Sequence, residues 1–353
     1  PLLVARNAPR LRATLRDADV VLLRLPASNG LLAALAAVAR GVPRVAYVVG
    51  SVRDVVAGQR RRGAAGLAAR TMAAFYDGAT RLAAAGAPVI VAGADPAGGG
   101  IASSLVAPDE IRDRGGEPWP AAAGVLRLVY AGRLADGKGL DTLLDAVAIL
   151  ADVSGEAGDA ASGGPGGTAA GGPGDPVDRA DAAARHGADT SSGVTLDLVG
   201  DGPAAATLRD RAAALGIADR VRFGGYLAER GPYLAALAAA DLFVSPSPSE
   251  GFPKAVLDAM AAGTPVMAVP AGRLAELADS GLTPAGAPIL TVPAGDPAAL
   301  AGAIRTLVAD PSVVLRLRAA GTAFVAEHTA PAEAARLLDR LRAAALTRSR
   351  RRR

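Results

Sequence analysis

Two carboxylates, Glu250 and Asp258, accompany a strand, a loop and a short helix that together could bind a polar ligand. The apolar residues 242–244 indicate the end of a buried strand. Pro253 suits the first position of a helix and Gly263 suits its end. The unpaired N–H groups at the front of a helix attract anions and hydroxyl groups. We therefore expect Glu250, in the loop, and Asp258, inside the helix, to face different parts of one ligand.

This stretch resembles the donor half of the retaining, nucleotide-sugar-dependent glycosyltransferases of family 4, which have the GT-B fold. The residues that match the family's motif are Glu250, Gly251, Phe252, Pro253, Met260, Gly263, Pro265 and Val266. The resemblance implies that Glu250 contacts the donor sugar and that the backbone from Gly251 to Lys254 stabilises sugar and phosphate. Asp258 stands where the family usually has a second Glu that holds the ribose hydroxyls. Because Asp is one methylene shorter, the ribose contact is expected to be closer, through water, or not made.

A second candidate site is the glycine-rich turn from Gly132 to Gly139, which follows an apolar strand at 126–131 and precedes a helix. Its two cations, Arg133 and Lys138, suit a diphosphate, although ordinary surface cations would have the same pattern. The family has a Gly-Arg-Leu…Lys-Gly pattern here. The resemblance therefore implies that Gly132, Arg133 and Lys138 bind the donor's pyrophosphate and neutralise the charge of the leaving diphosphate.

A third pattern, Gly200-Asp201-Gly202-Pro203-Ala204-Ala205, follows the strand 194–199 and has the form G-x-G-x-x-A. It raises the alternative of an NAD(P)-dependent oxidoreductase. Against this alternative, the pattern follows a late strand and Pro203 opens the helix. The next acid of suitable spacing, Asp219, precedes a strand instead of ending one.

The resemblance offers another explanation of the same turn. The family has a Val-Gly-x-Gly-Pro turn that lines the donor site, which implies donor contacts by Gly200 and Gly202. In the family, residues just after the next strand meet the nucleobase. Tyr226 and Leu227 are the candidates, with packing in the core as the equal alternative.

The composition argues against several classes of protein. The chain has 353 residues, enough for two domains, with 51% hydrophobic and 3% aromatic residues and no cysteine. Disulfides and thiolate metal sites are thereby excluded. His186 and His328 lack metal-ligand spacing, and neither a metal nor a cofactor is expected. Arginines at 348 and 350–353 account for more than the net charge of +4, so a nucleic-acid partner is not expected.

The alternation of strand and helix signals predicts an α/β fold of two Rossmann-like, doubly wound parallel-sheet domains facing a cleft. Trp119 lies in an expected interdomain linker, residues 107–123. The family's glycine-rich N-terminal loop was not found, and Val49 stands where the family often has a His. The expected ranges are an abbreviated acceptor-side domain (1–115), a donor domain (116–330) with a disordered Gly/Ala-rich insert (152–193), a helix crossing back (331–347) and a basic tail (348–353).

The resemblance implies transfer of a sugar from a UDP- or GDP-sugar to a glycan, lipid or small-molecule acceptor with retention of configuration. The alternatives are a donor-binding module that has lost transfer, the oxidoreductase, and a GT-B epimerase or phosphorylase. Arg53 and Arg60–Arg62 fit a phosphate-bearing acceptor, an anionic membrane surface or a solvated helix face. We expect a cytoplasmic protein, with peripheral contact at the inner face of the membrane. Because the sequence starts at Pro1, an upstream targeting segment stays open.

Overall fold

The computed structural model describes residues 9–11, 13–49, 56, 63–92, 100–101, 105–120, 124–158, 193–250, 253–279 and 281–352. Within these residues the chain forms two parallel β-sheets, one of four strands and one of six. The predicted α/β class with parallel sheets is confirmed. Several residues singled out above lie outside the described part of the chain: Arg53, Arg60–Arg62, His186, Gly251 and Phe252.

The first sheet follows the strand and helix alternation that the sequence predicts. Its strands lie in chain order: β1 (Val21–Leu25), β2 (Arg44–Val48), β3 (Val89–Ala92) and β4 (Gly100–Ile101). Helix α1 (Gly30–Ala39) connects β1 to β2, and helix α2 (Gly63–Ala84) precedes β3. Side chains alternate between the two faces of β1, so Leu23 and Leu25 are buried in the core whereas Leu22, on the opposite face, is 40% exposed.

The second sheet contains six strands in the order β10-β9-β8-β5-β6-β7. They are β5 (Val125–Ala131), β6 (Gly193–Val199), β7 (Val221–Gly225), β8 (Leu242–Ser245), β9 (Val266–Ala268) and β10 (Leu290–Thr291). The chain begins in the middle at β5, moves outward through β6 and β7, then returns to the other side of β5 with β8. In such doubly wound sheets the connections leave neighbouring central strands in opposite directions, which opens a crevice at their carboxyl ends. Here that crevice is expected beyond β5 and β8.

Seven helices follow strands of the second sheet or complete the chain. They are α3 (Leu140–Gly158), α4 (Ala205–Ala214), α5 (Arg230–Ala238), α6 (Lys254–Ala261), α7 (Pro297–Ala309), α8 (Pro311–Glu327) and α9 (Ala330–Arg352). The sheet is buried on both faces: Leu128 and Tyr130 of β5 join one apolar cluster, whereas Val129 and Ala131 join the other. This explains why its strands are continuous apolar runs.

Residues 105–120 differ from the interdomain linker predicted for 107–123. Trp119 belongs to the core of the second sheet, and its indole Nε1 donates to the carbonyl of Asp241 at 2.7 Å. Arg114 is 6% exposed and donates to the carbonyl of Ala238 at 2.9 Å. The segment is therefore packed onto the second sheet's layer. Its polar composition was misleading because a buried arginine can be satisfied by backbone carbonyls.

Helix α8 was not predicted from the sequence, although it begins with the same Asp-Pro pair as helix α7. Asp296 caps α7 by accepting the N–H of Ala299 at 2.8 Å, and Asp310 caps α8 by accepting the N–H of Ser312 at 3.1 Å. Both aspartates precede a proline. Helices α7 and α8 follow each other with only Asp310 between them.

The last helix, α9, reaches the first sheet. Its Ala344 is 6% exposed and packs in one cluster with Val45 of β2 and Ile90 of β3. The preceding α8 packs instead against α6 of the second sheet, where Gly321 approaches Met260. The chain thus ends its described course on the sheet from which it started.

Both ends of the disordered insert predicted for residues 152–193 are occupied by regular structure, the first by helix α3 and the last residue by strand β6. The helix continues to Gly158 and the strand starts at Gly193, and residues 159–192 lie outside the described part of the chain. No single described helix is long and apolar enough to span a membrane. Helices α7 and α8 meet such a test only as a pair bent by 98°.

Candidate functional site at the carboxyl ends of β5 and β8

The two strongest candidates from the sequence lie in contact. Lys138 Nζ, from the turn after β5, donates to Glu250 Oε1, from the loop after β8, at 2.6 Å. The two side chains are 28% and 17% exposed, so the pair is accessible and partly shielded from water. The pair bridges the two central strands where the topology reverses, the position at which doubly wound sheets bind ligands.

Gly139 allows the two loops to approach this closely. A Cβ at this position would lie 2.2 Å from the carbonyl oxygen of Pro246, and the residue has φ of +72°. Both facts require glycine, since a side chain would collide with backbone and the left-handed conformation disfavours other residues. Glycine at 139 therefore acts through contact between loops, which brings Lys138 to Glu250.

The amides of Gly132, Gly200 and Gly202 have partners within the protein. Gly132 donates to the carbonyl of Val199 at 2.9 Å, and Gly200 donates to that of Gly225 at 2.7 Å. Gly202 donates to the Asp201 carboxylate at 2.7 Å. Gly132 and Gly200 do line a cavity, but these N–H groups hold loops together instead of pointing freely at a ligand.

The same contacts argue against the oxidoreductase. Leu134 donates its N–H to the carbonyl of Asp201 and accepts that of Ala204, each at 3.0 Å. The turn of the G-x-G-x-x-A pattern is therefore filled by the loop after β5. In addition, the pattern follows β6, whereas the dinucleotide fingerprint belongs to the first strand-to-helix turn of such a sheet.

A cavity of about 300 Å³ is lined by Arg133, which belongs to the same turn as Lys138. Its lining also includes Gly200, Asp201, Tyr226, Leu227, Tyr233 and Ala255. Tyr226 is 77% exposed, so packing in the core is not what places it there, whereas Leu227 is partly buried against a core cluster. An exposed aromatic ring at the rim of a small cavity offers a stacking surface for a flat ring.

Arg133 lies at the boundary between two cavities. It lines the smaller one and also a larger groove of about 940 Å³, whose walls include Asp136, Gly139 and Pro246. Its side chain is exposed, so its guanidinium is free to move toward an anion in either space. This position fits the phosphate-binding role implied for it.

Helix α6 begins at Lys254, and Pro253 is its N-cap instead of the predicted first helical residue. Lys254 is exposed, and six of the eight residues of the helix are buried, from Val256 to Ala261. The front of the helix thus faces outward at the carboxyl end of β8, with its remainder fixed in the core. Gly251 and Phe252, between Glu250 and the cap, lie outside the described residues.

Asp258 has partners that the sequence did not reveal. It is buried, its Oδ1 lies 2.8 Å from Nη1 of Arg230, and its Oδ2 accepts the phenol of Tyr233 at 3.2 Å. Arg230 also binds Glu110 through two hydrogen bonds of 2.7 and 2.8 Å. Burial raises the pKa of Asp258, while the Arg230 cation opposes that shift. The predicted ribose contact is therefore not favoured by the structure, because Oδ2 accepts the Tyr233 phenol and Oδ1 is buried beside Arg230.

Tyr130 is a further residue of the site that the sequence did not single out. Its hydroxyl donates to the carbonyl of Arg133 at 3.2 Å, and the ring is buried beneath the turn. Burial, and secondarily the negative charge of Glu250, raise the pKa of its phenol well above the usual range. Tyr130 thus remains a neutral donor that holds the turn. Only its position at the end of β5 could have indicated this role.

The described residues do not offer the cluster of ligands that a metal ion requires. Among the described residues no group of three or more His, Asp or Glu side chains could hold a metal ion. His328, the described histidine, stacks on Phe324 with ring centroids 4.2 Å apart and contacts Glu333 at 2.5 Å. These contacts are structural and lie on α8 and α9.

The two parallel sheets, of which the six-stranded one is doubly wound, fit the GT-B fold, and comparison with solved structures agrees. The chain superposes on the Anabaena protein Alr3699/HepE, solved in complex with UDP, with a TM-score of 0.63. That match has 19% identity and covers 95% of this chain and 82% of the other. A sucrose-phosphate synthase from Thermosynechococcus elongatus gives a TM-score of 0.59 at 20% identity, over 95% and 76% of the two chains.

Sequence comparison reaches part of the chain. Residues 178–310 match the family model described as Glycosyl transferases group 1. Two Rhizobium meliloti (strain 1021) proteins are similar: the lipopolysaccharide core biosynthesis glycosyltransferase LpsE, 41% identical over 75 residues, and the mannosyltransferase LpsB, 42% identical over 74 residues. These matches cover 21% of this chain and 21% and 20% of the two relatives. The family-model match includes Glu250.

Proposed function

We propose that the protein is a nucleotide-sugar-dependent glycosyltransferase that transfers a hexose from a UDP- or GDP-sugar to an acceptor with retention of configuration. The observation that carries the proposal is the Lys138–Glu250 contact at 2.6 Å at the switch point of the second sheet. Arg133, from the same turn as Lys138, lines the cavity that also contains Tyr226. The family match over residues 178–310 supports the same class.

The proposed chemistry assigns a charge to each end of the donor. Lys138 and Arg133 neutralise the negative charge that develops on the leaving diphosphate, an electrostatic contribution that grows in the transition state. Glu250 accepts hydrogen bonds from the sugar hydroxyls. Its contact with Lys138 also fixes the position of the lysine ammonium group. The nucleobase lies on Tyr226 and against Leu227. Lys254 and the front of α6 face the sugar and phosphate side.

Acceptor and location are inferred from a different surface. Leu67, Phe75 and Leu82 are 60% to 68% exposed and follow one face of α2, with the exposed Arg70 and Arg81 beside them. An apolar stripe edged by arginines fits an anionic lipid surface. We therefore assign a cytoplasmic protein at the inner face of the membrane, acting on a glycan or a lipid-linked acceptor; the names of the Rhizobium relatives, lipopolysaccharide core enzymes, are in keeping with this class.

The test of the proposed function is a donor assay on the purified chain. UDP- and GDP-hexoses are added with and without EDTA, and melting temperature, nucleoside diphosphate release and the anomeric configuration of the product are measured. We expect one donor to raise the melting temperature and to release its nucleoside diphosphate without a metal. The proton NMR coupling of the product should match that of the donor. An inverted product, or release that EDTA abolishes, contradicts the corresponding part of the proposal.

One alternative keeps the donor pocket but lacks transfer. It is favoured by Val49, which stands where the resembling family often has a histidine and whose N–H is used in a 2.8 Å hydrogen bond to Leu25. In the assay above, stabilisation by a donor without release of nucleoside diphosphate, in the presence of lipid and glycan acceptors, identifies this alternative.

A further inference from the structure

Asp258 is poorly placed to bind a ribose. Its side chain is 6% exposed and lies against the Arg230 guanidinium and the Tyr233 phenol. Its Oδ1 is buried 2.8 Å from Arg230 Nη1 without a hydrogen bond, so a ribose hydroxyl would reach it only if the surrounding side chains moved. Breaking a buried ion pair is unfavourable because it leaves an uncompensated charge away from water. Asp258 is therefore committed to the protein.

Arg230 holds this arrangement from two sides. Its Nε and Nη2 donate to the two oxygens of Glu110, while Nη1 faces Asp258. Glu110 in turn accepts the N–H of Ala107 at 2.9 Å. The guanidinium thus has a carboxylate on each side, and removing it from Asp258 would disturb the segment 105–120 as well as α6.

Asp201 is an acid with the opposite properties. It is the second residue after β6, its side chain is exposed, and it lines the 300 Å³ cavity together with Tyr226 and Tyr233. The N–H of Gly202 donates to its Oδ1 at 2.7 Å, which fixes the carboxylate at the rim. A fixed, accessible carboxylate is the group that doubly wound nucleotide-binding domains use to accept hydrogen bonds from ribose hydroxyls.

We propose that Asp201 binds the ribose hydroxyls of the donor nucleotide, and that Asp258 is a positioning residue that orders Arg230 and Tyr233. This inference rests on the proposed function, because it names a contact within the same donor site. Tyr226, proposed to stack on the nucleobase, and Arg133, proposed to meet the diphosphate, line the same cavity as Asp201. A nucleotide held by both residues would carry its ribose between them.

The test compares the affinities of three protein variants for nucleotides that carry ribose and for nucleotides that carry dideoxyribose. Dissociation constants of UDP, GDP and their 2′,3′-dideoxy analogues are measured by calorimetry for the wild type, Asp201→Ala and Asp258→Asn. Hydrogen bonds to a charged group correspond to roughly 10-fold to 100-fold in affinity, so the wild type should prefer the ribose nucleotide by about that factor. In Asp201→Ala the preference should fall below about 3-fold.

Asp258→Asn should behave differently. Its melting temperature should fall while the wild-type preference for ribose is kept, since the carboxylate acts on Arg230 and Tyr233 and not on the ligand. A ribose preference that persists in Asp201→Ala overturns the inference and leaves the proposed function standing. Failure of the wild type to bind either UDP or GDP overturns both. Should Asp258→Asn not fold, the exposed Asp201 variant still decides.

Discussion

At the scale of single residues, Lys138 and Glu250 are more than two neighbouring charges. Each comes from a different loop of the second sheet, and their 2.6 Å contact sets where a cation and an acid meet a ligand. Partly exposed ion pairs of this kind contribute little to folding. The pair is therefore expected to matter for activity, through the positions of its two charges, and to matter little for stability.

Lys138→Ala should lower kcat by about 100-fold or more, because loss of one preorganised electrostatic group commonly has an effect of this size. The free energy of unfolding should change by less than about 1 kcal/mol. Steady-state kinetics and urea unfolding measure the two quantities.

The matched control for this change is Arg222→Ala. Arg222 makes an ion pair of 2.6 Å with Asp197 on the outer strands β6 and β7, where its side chain is 45% exposed. It should leave kcat unchanged. Equal activity of the wild type and the Lys138 variant contradicts the role assigned to this lysine.

The sequence predicted that the turns holding Lys138 and Glu250 lie near each other, because glycine-rich turns and helix starts mark where a strand ends and such turns meet at one edge of a parallel sheet. The 2.6 Å contact agrees with that placement, while the roles of Arg133, Lys138 and Glu250 toward a donor stay predictions taken from the family resemblance. The partners of Asp258 could not be found in this way. Glu110, Arg230 and Tyr233 come from two other segments, and no local pattern records that the fold brings them to α6.

At the scale of elements, the site depends on loops that touch. The turn after β5 contacts the loop after β8 through Gly139 and Pro246, and contacts the turn after β6 through Leu134. The glycines of these turns, which the sequence presented as ligand-binding residues, serve largely to remove side chains from these contacts. Sequence patterns alone do not distinguish glycines that approach a ligand from glycines that approach another loop.

Gly139→Ala should destabilise the protein by about 3 kcal/mol or more, because it combines a left-handed conformation with a collision against the Pro246 carbonyl. Gly216→Ala is the control: Gly216 has φ of +69°, but nothing lies within 4 Å of its added Cβ. It should lose only about 1 kcal/mol. Chemical denaturation compares the two, and equal losses would show that contact between the loops is unimportant.

The segment 105–120 is held on the second sheet by charge as well as by Trp119. Hydrogen bonds from Arg230 lower the pKa of Glu110 from its ordinary value of 4.5. A lowered pKa in the folded state means that the carboxylate stabilises the fold above pH 4.5, and that this stabilisation is lost as the pH falls through the folded-state pKa.

Glu110→Gln should therefore have a lower melting temperature than the wild type at pH 7. The difference between the two melting temperatures should shrink as the pH falls below 4.5, because the wild type then loses the same stabilisation. Asp339→Asn serves as the control, since its contact with Arg342 is 3.4 Å long and both side chains are more than 70% exposed. That variant should change the melting temperature little at any pH. A constant difference between Glu110→Gln and the wild type from pH 7 to pH 3 contradicts the account.

At the scale of the whole molecule, α2 of the first sheet presents an apolar stripe that the second sheet does not cover. Leu67, Phe75 and Leu82 expose most of their surface there. We expect binding to vesicles containing phosphatidylglycerol, and expect Phe75→Ser combined with Leu82→Ser to lower the partition coefficient at least 10-fold, because each buried side chain contributes about 2 kcal/mol. Vesicle sedimentation measures this.

The control replaces two exposed apolar residues by serine on helices α7 and α8, which belong to the second sheet. Val308 and Leu315 are 48% and 45% exposed, and their double serine variant should bind vesicles as the wild type does. Equal loss in both variants would indicate general unfolding or nonspecific adsorption, and no loss in the α2 variant would remove the membrane from the proposal.

The overall fold was the part most open to prediction, since apolar strands alternating with helices specify parallel sheets. Helix α8 escaped because it follows α7 without a loop, and the role of residues 105–120 escaped because a polar segment can pack through arginine and tryptophan hydrogen bonds. Both failures concern which elements meet, a property fixed by contacts between distant parts of the chain.

The return of α9 to the first sheet also bears on how the chain is made. Val45 and Ile90 emerge from the ribosome early, whereas Ala344, which covers them, emerges only after the whole second sheet. The second sheet can fold as one continuous stretch during synthesis, but the first must wait with part of its apolar surface uncovered. In the order of assembly, the domain synthesised first is therefore the one completed last.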